Sequence, residues 1–144
     1  MFLQLTNPSG QMVHGSSVQR GYERQIITTS FSGVATESPQ VQFSMPSGAA
    51  SATLATLQGG KNILPYAVFT TTQYGEQGLI VLSTVRLEEV IVIKTEDVNG
   101  SSHVTLRASR IGTTYYQYDL KKGIRAASGK TGFDFGSGKS WTAF

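Results

Sequence analysis

Apolar and polar residues alternate along LIVLSTVRLEEVIVIK, Leu79 to Lys94. Leu79, Val81, Val85 and Leu87 are apolar, and Thr84, Arg86 and Glu88 between them are polar. A period of two predicts a strand with one buried face. The alternation breaks at Glu88–Glu89, and Val90–Ile93 is apolar at every position. That run predicts a second half buried on both faces. A strand of this length exceeds the usual five or six residues or so and must bend, bulge or change sheets. Glu88–Glu89 is the expected bend.

Other segments read similarly. Phe2–Thr6 is a short strand ended by the turn Asn7–Gly10. Gln11–Arg20 is polar and glycine-bearing, a loop. Tyr22–Val34 is rich in β-branched residues and predicts a second strand. Val41, Phe43 and Met45 alternate with Gln42 and Ser44, a third. The pattern then changes. Pro46–Ser47–Gly48 leads into AASATLATLQ, with Ala50, Leu54 and Leu57 on one helical face and Gly59–Gly60 as the stop. One helix of about 48–58 is expected. Ile63–Gln73 is a strand with Pro65 near its start, followed by the hairpin loop Tyr74–Gly78. Asn99–Gly100 signals a hairpin between the long strand and Ser102–Tyr118. Asp119–Gly132 reads as a loop and Phe133–Phe144 as the last strand. The expectation is an all-β fold: a small β-barrel of two packed antiparallel sheets with one short α-helix, a single domain over 1–144.

Composition narrows the function. Glycine is abundant, at 16 residues, and helix formers are sparse. The chain has no cysteine, which rules out disulfides, zinc–thiolate sites and thiol nucleophiles. The net charge of +3 is too small to indicate nucleic-acid binding. The start has no basic segment followed by an apolar stretch, so no signal peptide is expected. No segment approaches the roughly 18 apolar residues of a membrane-spanning helix. The expectation is a protein made in the cytoplasm.

The chemical motifs are weak. Gly129–Lys130–Thr131 and Gly138–Lys139–Ser140 end like phosphate-binding loops, but the required first glycines are Ile124 and Phe133. His14 and His103 lack metal-ligand spacing. Glu88 and Glu89 are strand neighbours and point apart unless a bulge intervenes. No catalytic, cofactor or metal site is expected. Charge is distributed unevenly. From Arg110 onward six basic and two acidic residues give +4, and before it six basic and seven acidic give −1. Lys121, Lys122, Arg125 and Lys130 form a basic stretch. Tyr115, Tyr116, Tyr118 and Trp141 offer an aromatic platform for a second reading, a monomeric β-sandwich module that binds sugar or protein.

Taken in order, the elements resemble the Hcp proteins, the tube proteins of type VI secretion systems. The likeness lies in Phe2–Leu5 followed by Val13–Ser16, in Glu23–Gly33 (ERQIITTSFSG), in Val41–Lys61, in Leu82–Ile93 (LSTVRLEEVIVI), and in Gly138 and Trp141 near the end. It covers nearly the whole chain. Two departures stand out: Ser16 replaces a common glutamate, and the connection Ala35–Gln40 is shorter than the extended loop usual in the family. The resemblance implies homohexameric rings stacked into a tube, effectors carried in the lumen, and a spike protein (VgrG) and contractile sheath as partners. It also implies release through the secretion apparatus. A phage-type tail tube protein is a related alternative. Subunit contacts are expected at Thr36, Glu37, Ser38 and Pro39, and at Lys121, Lys122, Arg125 and Lys130.

Overall fold

The computed structural model describes residues 1–33, 38–58, 62–75, 78–119 and 124–144, with the main chain alone at 118–119 and 124–128. The strands are β1 (Phe2–Leu5), β2 (Ile26–Ile27), β3 (Ser30–Ser32), β4 (Gln40–Pro46), β5 (Leu64–Gly75), β6 (Gly78–Val98), β7 (Ser101–Asp119), β8 (Ile124–Asp134) and β9 (Lys139–Ser140), with one helix, α1 (Ala49–Leu57). All strands join one antiparallel sheet in the order β2-β1-β5-β6-β7-β4-β3, with β8 on β7 and β9 on β8.

The sheet closes into a barrel through residues 26–32. Ile26 and Ile27 pair with Leu3 and Phe2, and Ser30–Ser32 pair with Ser44, Phe43 and Gln42. The partner changes between Thr28, whose N–H donates to the Met1 carbonyl, and Thr29, whose N–H donates to that of Ser44. The circuit β1-β5-β6-β7-β4 thus returns to β1. The barrel walls are parts of one continuous sheet. Inside lie Leu3, Leu5, Val41, Phe43, Phe69, Leu87, Val90 and Leu106, all buried. Each such side chain contributes roughly 1.5–3 kcal/mol by leaving water. Phe69 sits at the centre, 4.4 Å from the Phe31 ring and 5.4 Å from that of Phe43.

β6 is the expected long strand, 21 residues from Gly78 to Val98. It bends where the two glutamates stand. Glu89 has a left-handed backbone, φ 54°. The ladders on both sides pass over it: Glu88 pairs with Tyr66 and Arg110, Val90 with Leu64 and Ala108. Pro65 and Ser109 opposite it are passed over too, so the register does not shift, and the left-handed residue itself reverses the phase of the strand. Val81, Val85 and Leu87 are buried before it, Val90 and Val92 after it. The expectation of burial on both faces for Val90–Ile93 is therefore corrected: Ile93 is exposed and Ile91 only partly covered. The left-handed residue turns the following side chains over in step with both neighbouring strands, and the register shift that does occur lies between Val92 and Lys94, with Ile93 as the extra residue.

Three further expectations change. Tyr22–Val34 is not one strand. Residues 15–25 fold back on themselves, with the Ser17 N–H donating to the Gln25 carbonyl and the Arg24 N–H to that of Ser17, and Arg24 is left-handed at φ 63°. Glu23 locks the turn by accepting from the Gly21 N–H at 3.1 Å. Its carboxyl lies below the ordinary carboxylate range because of its own main-chain N–H first and that of Gly21 second. Next, Asp119–Gly132 is not simply a loop, since β8 runs antiparallel to β7 from Ile124. Its alanines and glycines have little strand propensity, and the open edge of β7 supplies the structure. Finally, Phe133 and Phe135 flank the end of β8 and only Lys139–Ser140 pairs afterward, because the turn at Gly138 (φ 70°) intervenes.

α1 begins one residue later than expected, with Gly48 and not Ser47 as its cap. Ser51 Oγ accepts from the Gly48 N–H at 3.0 Å, and Ser47 Oγ lies 3.1 Å from Ser102 Oγ instead. Ala50 and Leu54 enter the core and Leu57 packs against it, as the helical face predicts. The expected stop at Gly59–Gly60 lies outside the described residues. Gln58 continues the wall beyond the end of β5: it bridges to Val92, and its side-chain oxygen accepts from the Thr95 N–H at 3.2 Å.

A bulky side chain tests the left-handed position. A non-glycine residue in the left-handed region costs about 1 kcal/mol, and a β-branched one more. Glu89→Gly is expected to be at least as stable as the parent in urea unfolding, and Glu89→Val less stable by about 1–2 kcal/mol. Equal stabilities would remove the left-handed residue from the account.

Candidate assembly surfaces

β7 organises the surface because two strands share one of its edges in succession. β4 takes Ser101–Arg107, and β8 takes Arg110–Asp119. At the gap, the Ala108 N–H donates to the Pro39 carbonyl at 2.9 Å and the Phe135 N–H to the Ser109 carbonyl at 2.8 Å. Beyond the gap the sheet continues as an arm of β5, β6, β7 and β8. β1 pairs β5 only at Ala67–Thr70, and β9 pairs β8 only at Phe133–Asp134. Among the described residues the arm therefore has two open edges, β5 from Thr71 and β8 before Gly132, whose carbonyl accepts from the Trp141 N–H.

The outer face at the root of the arm carries a row of polar side chains. Register aligns Tyr66, Glu88, Arg110 and Asp134 across four strands. Glu88 accepts from Arg86 Nε at 2.8 Å and from Arg110 Nε at 3.1 Å. Arg110 also lies 3.9 Å from Glu89 and 4.0 Å from Asp134. The left-handed backbone at Glu89, without a bulge, thus brings both adjacent glutamates to one guanidinium. Arg86 lies over the Tyr66 ring at 4.6 Å. These groups are partly exposed, Arg110 at 28% and Glu88 at 22%, so the network fixes side-chain directions more than it adds stability.

In the next row, Gly112 and Gly132 face each other across β7 and β8. A β-carbon on Gly132 would lie 2.5 Å from the Trp141 carbonyl oxygen, and one on Gly112 would overlap the Phe144 ring. Trp141–Phe144 fills the resulting strip. The Trp141 N–H donates to the Gly132 carbonyl at 3.0 Å, and the two rings are 4.6 Å apart. Arg110 approaches the Trp141 ring at 5.7 Å and Lys130 the Phe144 ring at 5.2 Å. The Lys130 ammonium also donates to the Phe144 main-chain oxygen. An isolated glycine in a strand signals close approach of another segment, and that signal was present at both positions.

A second polar patch lies on the barrel wall. Register places Ser30, Ser44, His103 and Glu96 in one row, beside a hollow of about 430 Å³. Ser44 Oγ and His103 Nδ1 are 2.8 Å apart. A hydroxyl beside an imidazole suggests a nucleophile and base, but acyl transfer also needs N–H donors aimed at the developing oxyanion. Ser44 lies between the ladders of β3 and β7, where main-chain groups are already paired. His103 is a strand residue with a serine partner.

The anticipated contact residues are dispersed. Ser38 accepts from the Gln40 N–H at 3.3 Å, and the Pro39 carbonyl joins β7. Arg125 lies on β8 opposite Tyr118, and Lys130 lies on β8 opposite Thr114, turned to the strip. Thr36, Glu37, Lys121 and Lys122 lie outside the described residues. Of the lysines in the two phosphate-loop-like stretches, Lys130 is in β8 and Lys139 in β9, and neither opens a helix. Tyr115 and Tyr116 face opposite sides of β7 while Trp141 rests on Gly132, so the aromatic group is not one flat platform. His14 lines a small cavity beside the start of α1.

The architecture is an antiparallel β-barrel with a four-stranded arm and one covering helix. No protein-family model matches the sequence, and no curated protein matches it. Solved structures do match. The Hcp1 protein from E. coli EAEC 042, in a double-mutant form, has a TM-score of 0.75 at 19% identity, over 93% of this chain and 97% of that one. Hcp1 from Salmonella typhimurium has a TM-score of 0.74 at 18% identity, over 97% and 96%. A protein described as a type six secretion system protein has a TM-score of 0.78 at 15% identity, over 97% and 98%. The chain has the Hcp fold.

The strip gives a direct test. Gly112→Ala places a methyl group in the Phe144 ring and is expected to cost about 1–3 kcal/mol. Because Trp141 is the only tryptophan, its emission is expected to shift to the red as the segment leaves the strip. An unchanged spectrum would mean that the segment is held by other contacts.

Proposed function

We propose that this chain is a structural tube protein of a bacterial type VI secretion system. The observation that supports this most is the agreement of fold over more than nine-tenths of both chains with the structures described above. The surface chemistry is consistent with a structural part. Its most ordered polar groups are spent on partners within the sheet. The two open arm edges differ in sequence, so one copy can offer the β8 edge to the β5 edge of the next. Such a contact is heterologous, and it closes into a ring when the rotation fits. Unpaired strand edges favour this pairing. The same reading includes six-membered rings, stacking into a tube, effectors in the lumen, the spike protein and sheath as partners, and release through the apparatus. Thr36, Glu37, Ser38, Pro39 and the basic stretch Lys121, Lys122, Arg125 and Lys130 are its proposed contacts.

Light scattering on a sizing column, with negative-stain images of the same peak, tests the reading. Multiples of the 15.5 kDa chain and ring-shaped particles are expected at high concentration. A single-chain mass at every concentration would overturn it. Lys121→Glu combined with Lys122→Glu is expected to return the assembled peak to the single-chain mass at concentrations where the parent is multimeric. An unchanged sedimentation profile would remove that stretch from the contact.

A further inference from the structure

The Gly112–Gly132 strip is a binding surface whose occupant is already visible. Its floor has no side chains, and its two cations each lie over one aromatic ring of the occupant. The occupant has a definite chemistry: tryptophan and phenylalanine three residues apart, with one main-chain bond at the tryptophan. No residue of 141–144 belongs to a strand. Its connection to β8 passes the two-residue β9 and the left-handed turn at Gly138. The segment is therefore attached by few bonds to a strip that recognises it specifically.

We propose that the strip is a recognition site for a Trp-x-x-Phe segment, and that in the assembled protein it takes Trp141–Phe144 from a neighbouring copy. This rests on the self-association described under the proposed function. Because Ser140 pairs with Phe133 immediately before Trp141, the exchange carries β9 with it from the turn at Gly138, and the same residues then meet in either arrangement, the usual economy of segment swapping. Location favours it too. Half of the strip is β8 itself, and the outer edge of β8 is one of the two open edges at which a neighbour is expected. Once copies are side by side, a tethered segment meets the adjacent strip at an effective concentration of order millimolar. The exchanged segment would stitch together copies already held by strand edges.

The absence of cysteine makes the test clean. Two single-cysteine variants, T131C and A143C, are each checked for native circular dichroism, mixed before assembly, and treated with a short bismaleimide. Each copy carries one thiol, so no link can form within a chain. Thr131 is exposed beside Gly132 and Ala143 precedes Phe144, so both cations and both aromatic rings are kept. A covalent dimer containing one copy of each variant is expected as the main product wherever light scattering shows multimers. Adding G132A to the T131C copy is expected to lower the yield at least tenfold while multimers persist. Multimers without the mixed dimer, or a yield insensitive to G132A, would overturn the exchange and leave self-association standing. Absence of multimers at every concentration would overturn both.

Discussion

The shared edge of β7 is the constraint from which the rest follows. One strand of 19 residues is long enough for two partners end to end, and β4 and β8 take the two halves. On its other side β6 must follow it along nearly its whole length while passing from barrel wall to open arm. Those two environments bury different faces. The left-handed residue Glu89 reconciles them, standing across from the gap between β4 and β8. A left-handed glutamate is a small local cost set against the core on either side of it.

Charge placement at this junction follows the same geometry. Arg110 is the first β7 residue to pair with β8. It therefore faces Glu88 on one side and Asp134 on the other, with Glu89 swung round by its left-handed backbone. Five charged side chains converge there because backbone register leaves them no other face. The glycine strip lies one row further along, and Arg110 belongs to both, linking bend and strip through a single side chain.

Much of the barrel was legible in the sequence, for a definite reason. Period-two alternation marks a strand with one wet face, and β4, β6 and β7 have one. α1 showed itself by Ala50, Leu54 and Leu57. What could not be read was set by partners distant in the chain. β8 is a strand because β7 offers an edge, and Ala126, Ala127 and Gly129 would not form one alone. The phase reversal within LEEVIVI could not be told from burial on both faces without knowing that Glu89 is left-handed. The strip was hinted at by two glycines, 112 and 132, whose pairing only the fold reveals. The contact residues anticipated from charge alone had no such pattern behind them.

The closure through residues 26–32 has a consequence for how the protein forms. Phe2 pairs with Thr70, and Gln40 with Arg107. Most of the wall is thus built from contacts far apart along the chain, which makes for slow folding. On the ribosome, β1 and the 26–32 segment find partners in β4 and β5, but the other edge of β4 must wait unpaired until residues beyond 100 have emerged. The order of synthesis therefore leaves the barrel open until its latest major strand arrives, and the interval before closure is when copies are most exposed to pairing wrongly with one another.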